Sequence, residues 1–153
     1  MNITVNAAQA AGTLAPLWAS MGFTPATLLM TDDMRQQLTY LGSIPRGGMR
    51  YARIHFLLEL VDVDFSGESA YYGFSRLDAG LDLLVGNGQM PIFELMGNPN
   101  GQFTDFHDPR QLGRWRTMVC DLLLHLLERY GKEEVQRWYF ESWNEPDIGW
   151  WPQ

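Results

Sequence analysis

Apolar runs rich in strand formers alternate along this sequence with stretches of helical periodicity, and that alternation restricts the fold more than any other feature. The run MRYARIHFLLELVDV, residues 49–63, follows the turn-forming Pro45-Arg46-Gly47-Gly48, and period-2 alternation sets Arg53, His55, Leu57 and Glu59 on one face of a predicted strand. MPIFELMG, residues 90–97, is short and flanked by glycines, as a buried parallel strand would be. RWYFESWNEPD, residues 137–147, supplies an aromatic strand that Pro146 cuts off. Between them, Phe74, Leu77, Leu81 and Leu84 recur at helical spacing until Gly86 and Gly88, behind a Ser75/Asp78 pair resembling a capping box. A longer helix is predicted after Asp108, with Pro109 in its first turn, an apolar stripe of Leu112, Trp115, Val119, Leu122, Leu126 and Tyr130, and Gly131 at its end. Strand, helix, strand, helix, strand is the pattern of right-handed parallel βαβ units, so the expected class is α/β.

The amino-terminal third is less patterned. Residues 2–8 are expected as a short strand, and 12–21 as a short helix ended by Gly22. Thr31, Asp32 and Asp33 offer a cap and first-turn acids to a helix carrying Met34, Leu38 and Leu41 and ending at Gly42. No repeat or linker interrupts the chain, so residues 1–153 read as one piece, long enough and apolar enough at 46% hydrophobic for a packed core.

Composition narrows the function. Eighteen acidic against eleven basic residues give a net charge of -7, Lys132 is the only lysine, and no basic cluster offers itself to nucleic acid. No apolar run approaches the roughly 20 residues of a membrane span. Three separated histidines and one cysteine provide no metal-ligand spacing, and the glycines form neither GxGxxG nor GxxxxGK[ST], so no metal and no cofactor are implied. Cys120, inside MVCDLLLHLL, is expected to act as a small buried hydrophobe. The start of the sequence lacks the basic and apolar regions of a secretory signal, which points to the cytoplasm if that start is complete.

In a parallel α/β layout the site forms at the carboxyl ends of the strands. Those ends carry Arg53, His55 and Glu59; Glu94, Asn98 and Asn100; and Glu141, Asn144, Glu145 and Asp147, too many polar groups to bury without partners. A shared polar pocket is expected. Within Trp143-Asn144-Glu145-Pro146-Asp147, flanking by Trp and Pro is expected to desolvate the Glu145 carboxyl partly, raise its pKa and equip it for proton donation. Taken alone, Glu145 is equally well a loop carboxylate and Trp143 core filling. His125, between leucines on the long helix, is expected to pack or face solvent, and His107 to lie in a loop. Trp138 is expected in the core, whereas Trp150 and Trp151 could serve as a stacking platform for a ligand or as packing.

WNEP at a strand end is similar to the hallmark of glycoside hydrolases built on (β/α)8 barrels, in which the matching Glu is the general acid/base. RIHFLLELV, GFSRLDAGLDLL, PIFELMGNPNGQFTDFHD and RYGKEEVQRWYFESWNEPD fall in the right order, and together they resemble glycoside hydrolase family 39 over residues 40–147. The resemblance implies a partial TIM barrel of about the first four βα units and a retaining hydrolase of a carbohydrate substrate. It implies Glu145 as acid/base, Asn144 as its sugar-binding neighbour, His55 as a substrate contact and Arg53 as a supporting residue. The α-L-iduronidase branch is favoured over the β-xylosidase branch. In the family the nucleophile is a Glu on a later strand, and a barrel takes about 250 residues. The chain is therefore expected to be a fragment without activity of its own, partnered by a missing carboxyl-terminal half. The alternative from another class is a non-catalytic half-barrel that binds carbohydrate or serves as an interaction module.

Overall fold

The structure is a computed structural model that describes residues 2–12, 18–45, 48–67 and 69–148. Four parallel strands form the main sheet: β1 (Ser20–Phe23), β2 (Tyr51–Ile54), β5 (Met90–Glu94) and β6 (Tyr139–Glu141), side by side in that order. Their order in space follows their order in the chain. Helices α1 (Asp32–Gly42), α2 (Ser75–Gly86) and α3 (Pro109–Tyr130) make the crossovers, and a short α4 (Lys132–Val135) leads into β6. A small antiparallel hairpin, β3 (Asp62–Asp64) with β4 (Tyr71–Gly73), is inserted between β2 and α2.

Local sequence explains the helix boundaries. The Thr31 hydroxyl accepts the Met34 backbone N–H, and Asp108 accepts that of Arg110, each satisfying an otherwise orphaned first-turn donor. Gly131, at φ 81°, ends α3 and donates its N–H to the Leu127 carbonyl. Leu77, Leu81 and Leu84 of α2 are fully buried, each contributing roughly 1.5–3 kcal/mol. They join Leu38 of α1, Met118, Leu122 and Leu126 of α3, and Ala52, Ile54 and Phe93 of the sheet in one core.

The sheet thereby acquires two faces. Ala52, Ile54 and Phe93 point into the core under the helices, and Phe140 stacks on Phe93 with ring centroids 5.9 Å apart. Since the strand register pairs Arg53 with Ile92 and Ile92 with Tyr139, the alternate positions Arg53, Glu94 and Glu141 share the other face.

Several expectations are corrected. Residues 2–8 form no strand, and the helix expected over 12–21 runs into β1, where Gly22 is a strand residue on which a Cβ would come 3.0 Å from the Arg53 carbonyl oxygen. Residues 13–17 of that span lie outside the described residues. The strand expected over 49–63 ends at Ile54: Phe56 turns the chain at φ 65°, and Leu57–Leu60 form a 3-10 turn that buries its leucines and leaves Glu59 exposed. Ser75 makes no capping bond, because α2 is entered from Phe74. Cys120 is exposed rather than buried, and Leu112, at 51% exposure, drops out of the α3 stripe while Met118 replaces it.

Candidate functional site

Three parallel strands end together, and their last residues meet. Arg53 of β2 sends its guanidinium across the end of β5: Nε donates to Glu141 Oε2 at 3.0 Å, and Nη2 donates to Glu141 Oε1 at 2.7 Å and Asn144 Oδ1 at 3.0 Å. The same Nη2 lies 2.6 Å from Glu94 Oε1, an ion pair lacking the alignment of a hydrogen bond. The other Glu94 oxygen, Oε2, is 2.7 Å from His55 Nδ1. Glu94 is wholly buried, whereas the side chains of Arg53 and Glu141 are each about one-third exposed.

The electrostatics follow from these contacts. Hydrogen bonding to Glu141 raises the Arg53 pKa further above its ordinary value, and the reciprocal interaction holds the Glu141 carboxyl below the usual carboxylate range. Glu94 moves upward because burial disfavours its charge more than His55 and Arg53 favour it. Arg53 thus serves two carboxylates and one amide.

Beside this network opens a cavity of about 220 Å³ lined by Thr24, His55, Phe56, Met96, Asn144 and Glu145. The Asn144 amide accepts from Arg53 on its oxygen and donates from its nitrogen to Glu145 Oε2 at 3.4 Å. Two lining residues have left-handed backbones, Phe56 at φ 65° and Glu145 at φ 48°. Such conformations are uncommon for residues with a Cβ and cluster at functional sites. Glu145 itself is exposed, so the desolvation expected of its neighbours is not supplied by them. Trp143 is buried and lies against Trp115 of α3 at 6.1 Å between centroids.

Of the residues singled out from the sequence, Arg53, His55, Glu94, Glu141, Asn144 and Glu145 come together. Glu59 does not, since the chain turns at Phe56 before reaching it. Asn98 accepts the Phe103 backbone N–H, and Asn100 donates to the Val63 carbonyl, so both shape the loop after β5. Asp147 and His107 are exposed and do not line the cavity. His125 pairs with Asp78 at 2.7 Å and stacks on Phe74, tying α3 to α2. Trp138 is core, with its indole N–H donated to Glu134. Trp150 and Trp151 lie outside the described residues. Thr24, Phe56 and Met96 are lining residues that the sequence reading missed; only their places next to strand ends could have marked them. Among the described residues, no group of three His, Cys, Asp or Glu side chains could hold a metal ion, and no helix is long and apolar enough to cross a membrane.

Comparison with known proteins agrees with the strand-end strings. The model for the family described as Glycosyl hydrolases family 39 matches residues 1–150. The chain is 41% identical to α-L-iduronidase of Mus musculus over 153 residues, covering 95% of this chain and 24% of that protein. It is 33% identical to β-xylosidase of Caldicellulosiruptor saccharolyticus over 162 residues, covering 97% of this chain and 33% of that protein. Among solved structures, a bacterial orthologue of human α-L-iduronidase superposes with a TM-score of 0.80 at 42% identity, over 88% of this chain and 22% of that one. The chain thus spans about a quarter to a third of the length of these relatives.

Proposed function

This chain belongs to glycoside hydrolase family 39, and on that footing we propose that residues 1–153 are the amino-terminal part of a (β/α)8 catalytic barrel that cleaves O-glycosidic bonds with retention of configuration. The singly wound order of the parallel sheet supports the barrel, since successive strands of a barrel lie side by side. So does β6, an edge strand with Tyr139 58% and Phe140 40% exposed. A further strand and helix would cover both.

The observation that carries the catalytic reading is the convergence of Glu145, Asn144 and His55 on one cavity at the carboxyl ends of the strands. Glu145 is the general acid/base: it protonates the leaving oxygen, then takes a proton from the water that releases the sugar. Asn144 presents its amide N–H to a sugar hydroxyl, with Arg53 bound to the amide oxygen. His55 contacts the same sugar.

A retaining enzyme needs a second carboxylate about 5–5.5 Å from the first, free to attack the anomeric carbon. Glu94 is buried and engaged at both oxygens, and Glu141 is held by the Arg53 fork, so neither suits that role. The nucleophile therefore belongs to the part of the family's barrel that this chain does not match.

The greater identity to the mouse α-L-iduronidase, 41%, than to the Caldicellulosiruptor saccharolyticus β-xylosidase, 33%, supports an iduronide-like substrate. Arg53 is already committed, so the basic groups that would bind the sugar carboxylate come from elsewhere in the barrel.

The test is hydrolysis of aryl α-L-iduronide and aryl β-xyloside by the full-length protein containing this chain. Glu145→Gln is expected to lower kcat about 10²–10⁴-fold. Undiminished turnover by that variant would remove Glu145 from the role. The 153-residue chain alone is expected to turn over neither substrate.

A further inference from the structure

Glu94 is the only charged side chain buried below solvent reach among the described residues, and the acid/base chemistry proposed above does not use it. Its two oxygens divide their labour. Oε1 faces Arg53 at 2.6 Å, and Oε2 meets His55 Nδ1 at 2.7 Å. His55 also lines the cavity, 25% of its side-chain surface is exposed, and Nε2 is the ring nitrogen that the Glu94 contact leaves over.

That arrangement couples a buried proton to the character of the cavity wall. An ionised carboxylate only accepts, so a 2.7 Å contact to Nδ1 places the ring proton on Nδ1. In a neutral imidazole, Nε2 is then a lone-pair acceptor. Were the proton on Glu94 Oε2 instead, Nε2 would carry the ring hydrogen and act as a donor. Burial favours the protonated acid, but the guanidinium beside Oε1, charged at any working pH, favours the carboxylate.

We infer that Glu94 is a positioning residue that pins His55 as its Nδ1–H tautomer, so that Nε2 meets the cavity as a hydrogen-bond acceptor and selects a ligand O–H at that point. The inference rests on the reading of the cavity as a sugar site for its ligand class. A sugar bearing fluorine in place of the contacted hydroxyl would bind about tenfold more weakly, the usual cost of one such bond.

Long-range proton–nitrogen NMR on the 15N-histidine-labelled full-length protein containing this chain, at about pH 8, above the ordinary imidazole range, tests it. The expected result is a pyridine-like nitrogen at Nε2 of His55. His125 gives an internal control, because its Nε2 is the nitrogen that meets Asp78, and the opposite tautomer is expected there. In Glu94→Gln, which keeps the side-chain shape but can donate, the pyridine-like signal of His55 is expected to move to Nδ1. A pyridine-like Nδ1 in the unmodified protein overturns the inference, as does an unchanged tautomer in a folded Glu94→Gln protein. If that variant does not fold, the unmodified protein still decides. The sugar-site reading fails separately: full activity of Glu145→Gln removes that reading and leaves the tautomer result standing.

Discussion

Arg53 and Glu141 are joined by a two-pronged salt bridge that steps over a whole strand: β5 lies between the strands that carry them. The pair couples the second strand of the sheet to the last, and through Asn144 it reaches the loop bearing Glu145. Replacing Arg53 with Gln leaves Glu94 buried opposite no cation. The expected loss is about 3 kcal/mol, the low end for breaking a buried pair because Arg53 is itself partly exposed. Urea denaturation of the two chains checks it, and Arg53→Lys should restore only part of the loss since it cannot form the fork.

Acid should reveal the same pair. The Glu141 carboxyl, hydrogen-bonded by Arg53, titrates lower in the folded chain than in the unfolded one. Its contribution to stability is therefore complete above the ordinary carboxylate range, about pH 4, and disappears as pH falls through its lowered folded value. Glu94 acts in the opposite sense, because its folded value is raised: its burial costs stability above that value, and the cost is relieved on acidification. Melting temperatures of the unmodified chain and Glu141→Gln should differ at pH near 7 and converge below about pH 4. A constant gap across that range would rule out the ion pair as its source.

The two buried-side histidines should separate cleanly. His125 holds α3 to α2 through Asp78 and stacks on Phe74 at 4.7 Å. His125→Ala is expected to cost about 1–2 kcal/mol of stability and to leave KM of the full-length enzyme unchanged. His55→Ala is expected to raise KM, and since it leaves the buried Glu94 Oε2 without its donor it should cost at least as much stability.

Helix packing has one tight point outside the site. A Cβ on Gly42, at the end of α1, would come 2.5 Å from the backbone oxygen of Asn87 at the end of α2. Gly42→Ala must push two helix ends apart, at about 1–3 kcal/mol. Gly80→Ala meets the Leu29 side chain at 2.8 Å instead, and a rotamer change there should make it the milder variant in the same thermal-melt comparison.

Much of this was legible in the residues, for identifiable reasons. Asp108, Pro109 and Gly131 announce the ends of α3 because caps and breakers act locally. The pairing of Arg53 and His55 on one face follows from strand alternation, which holds up to Ile54. Beyond it, the apolar run FLLEL carried no sign of the left-handed turn at Phe56, since an unbroken hydrophobic stretch suits a 3-10 turn as well as a strand. β1 was hidden because a four-residue strand, SMGF, is too short for periodicity to register, and its Gly22 looks like a stop signal when it is a close-approach position. The exposure of Cys120 and Leu112 is a tertiary fact: helical spacing names a stripe, but which residues of α3 face the sheet depends on its rotation about its own axis.

The order of the sheet also has a meaning in time. Every strand of the main sheet lies beside the main-sheet strand synthesised before it, so a chain emerging from a ribosome meets a docking edge that is already in place. Arg53, His55 and Glu94 are translated before Glu141, Asn144 and Glu145 exist. The older half of the charge cluster is thus a waiting template, and the last-made segment, Glu145 included, is threaded onto it.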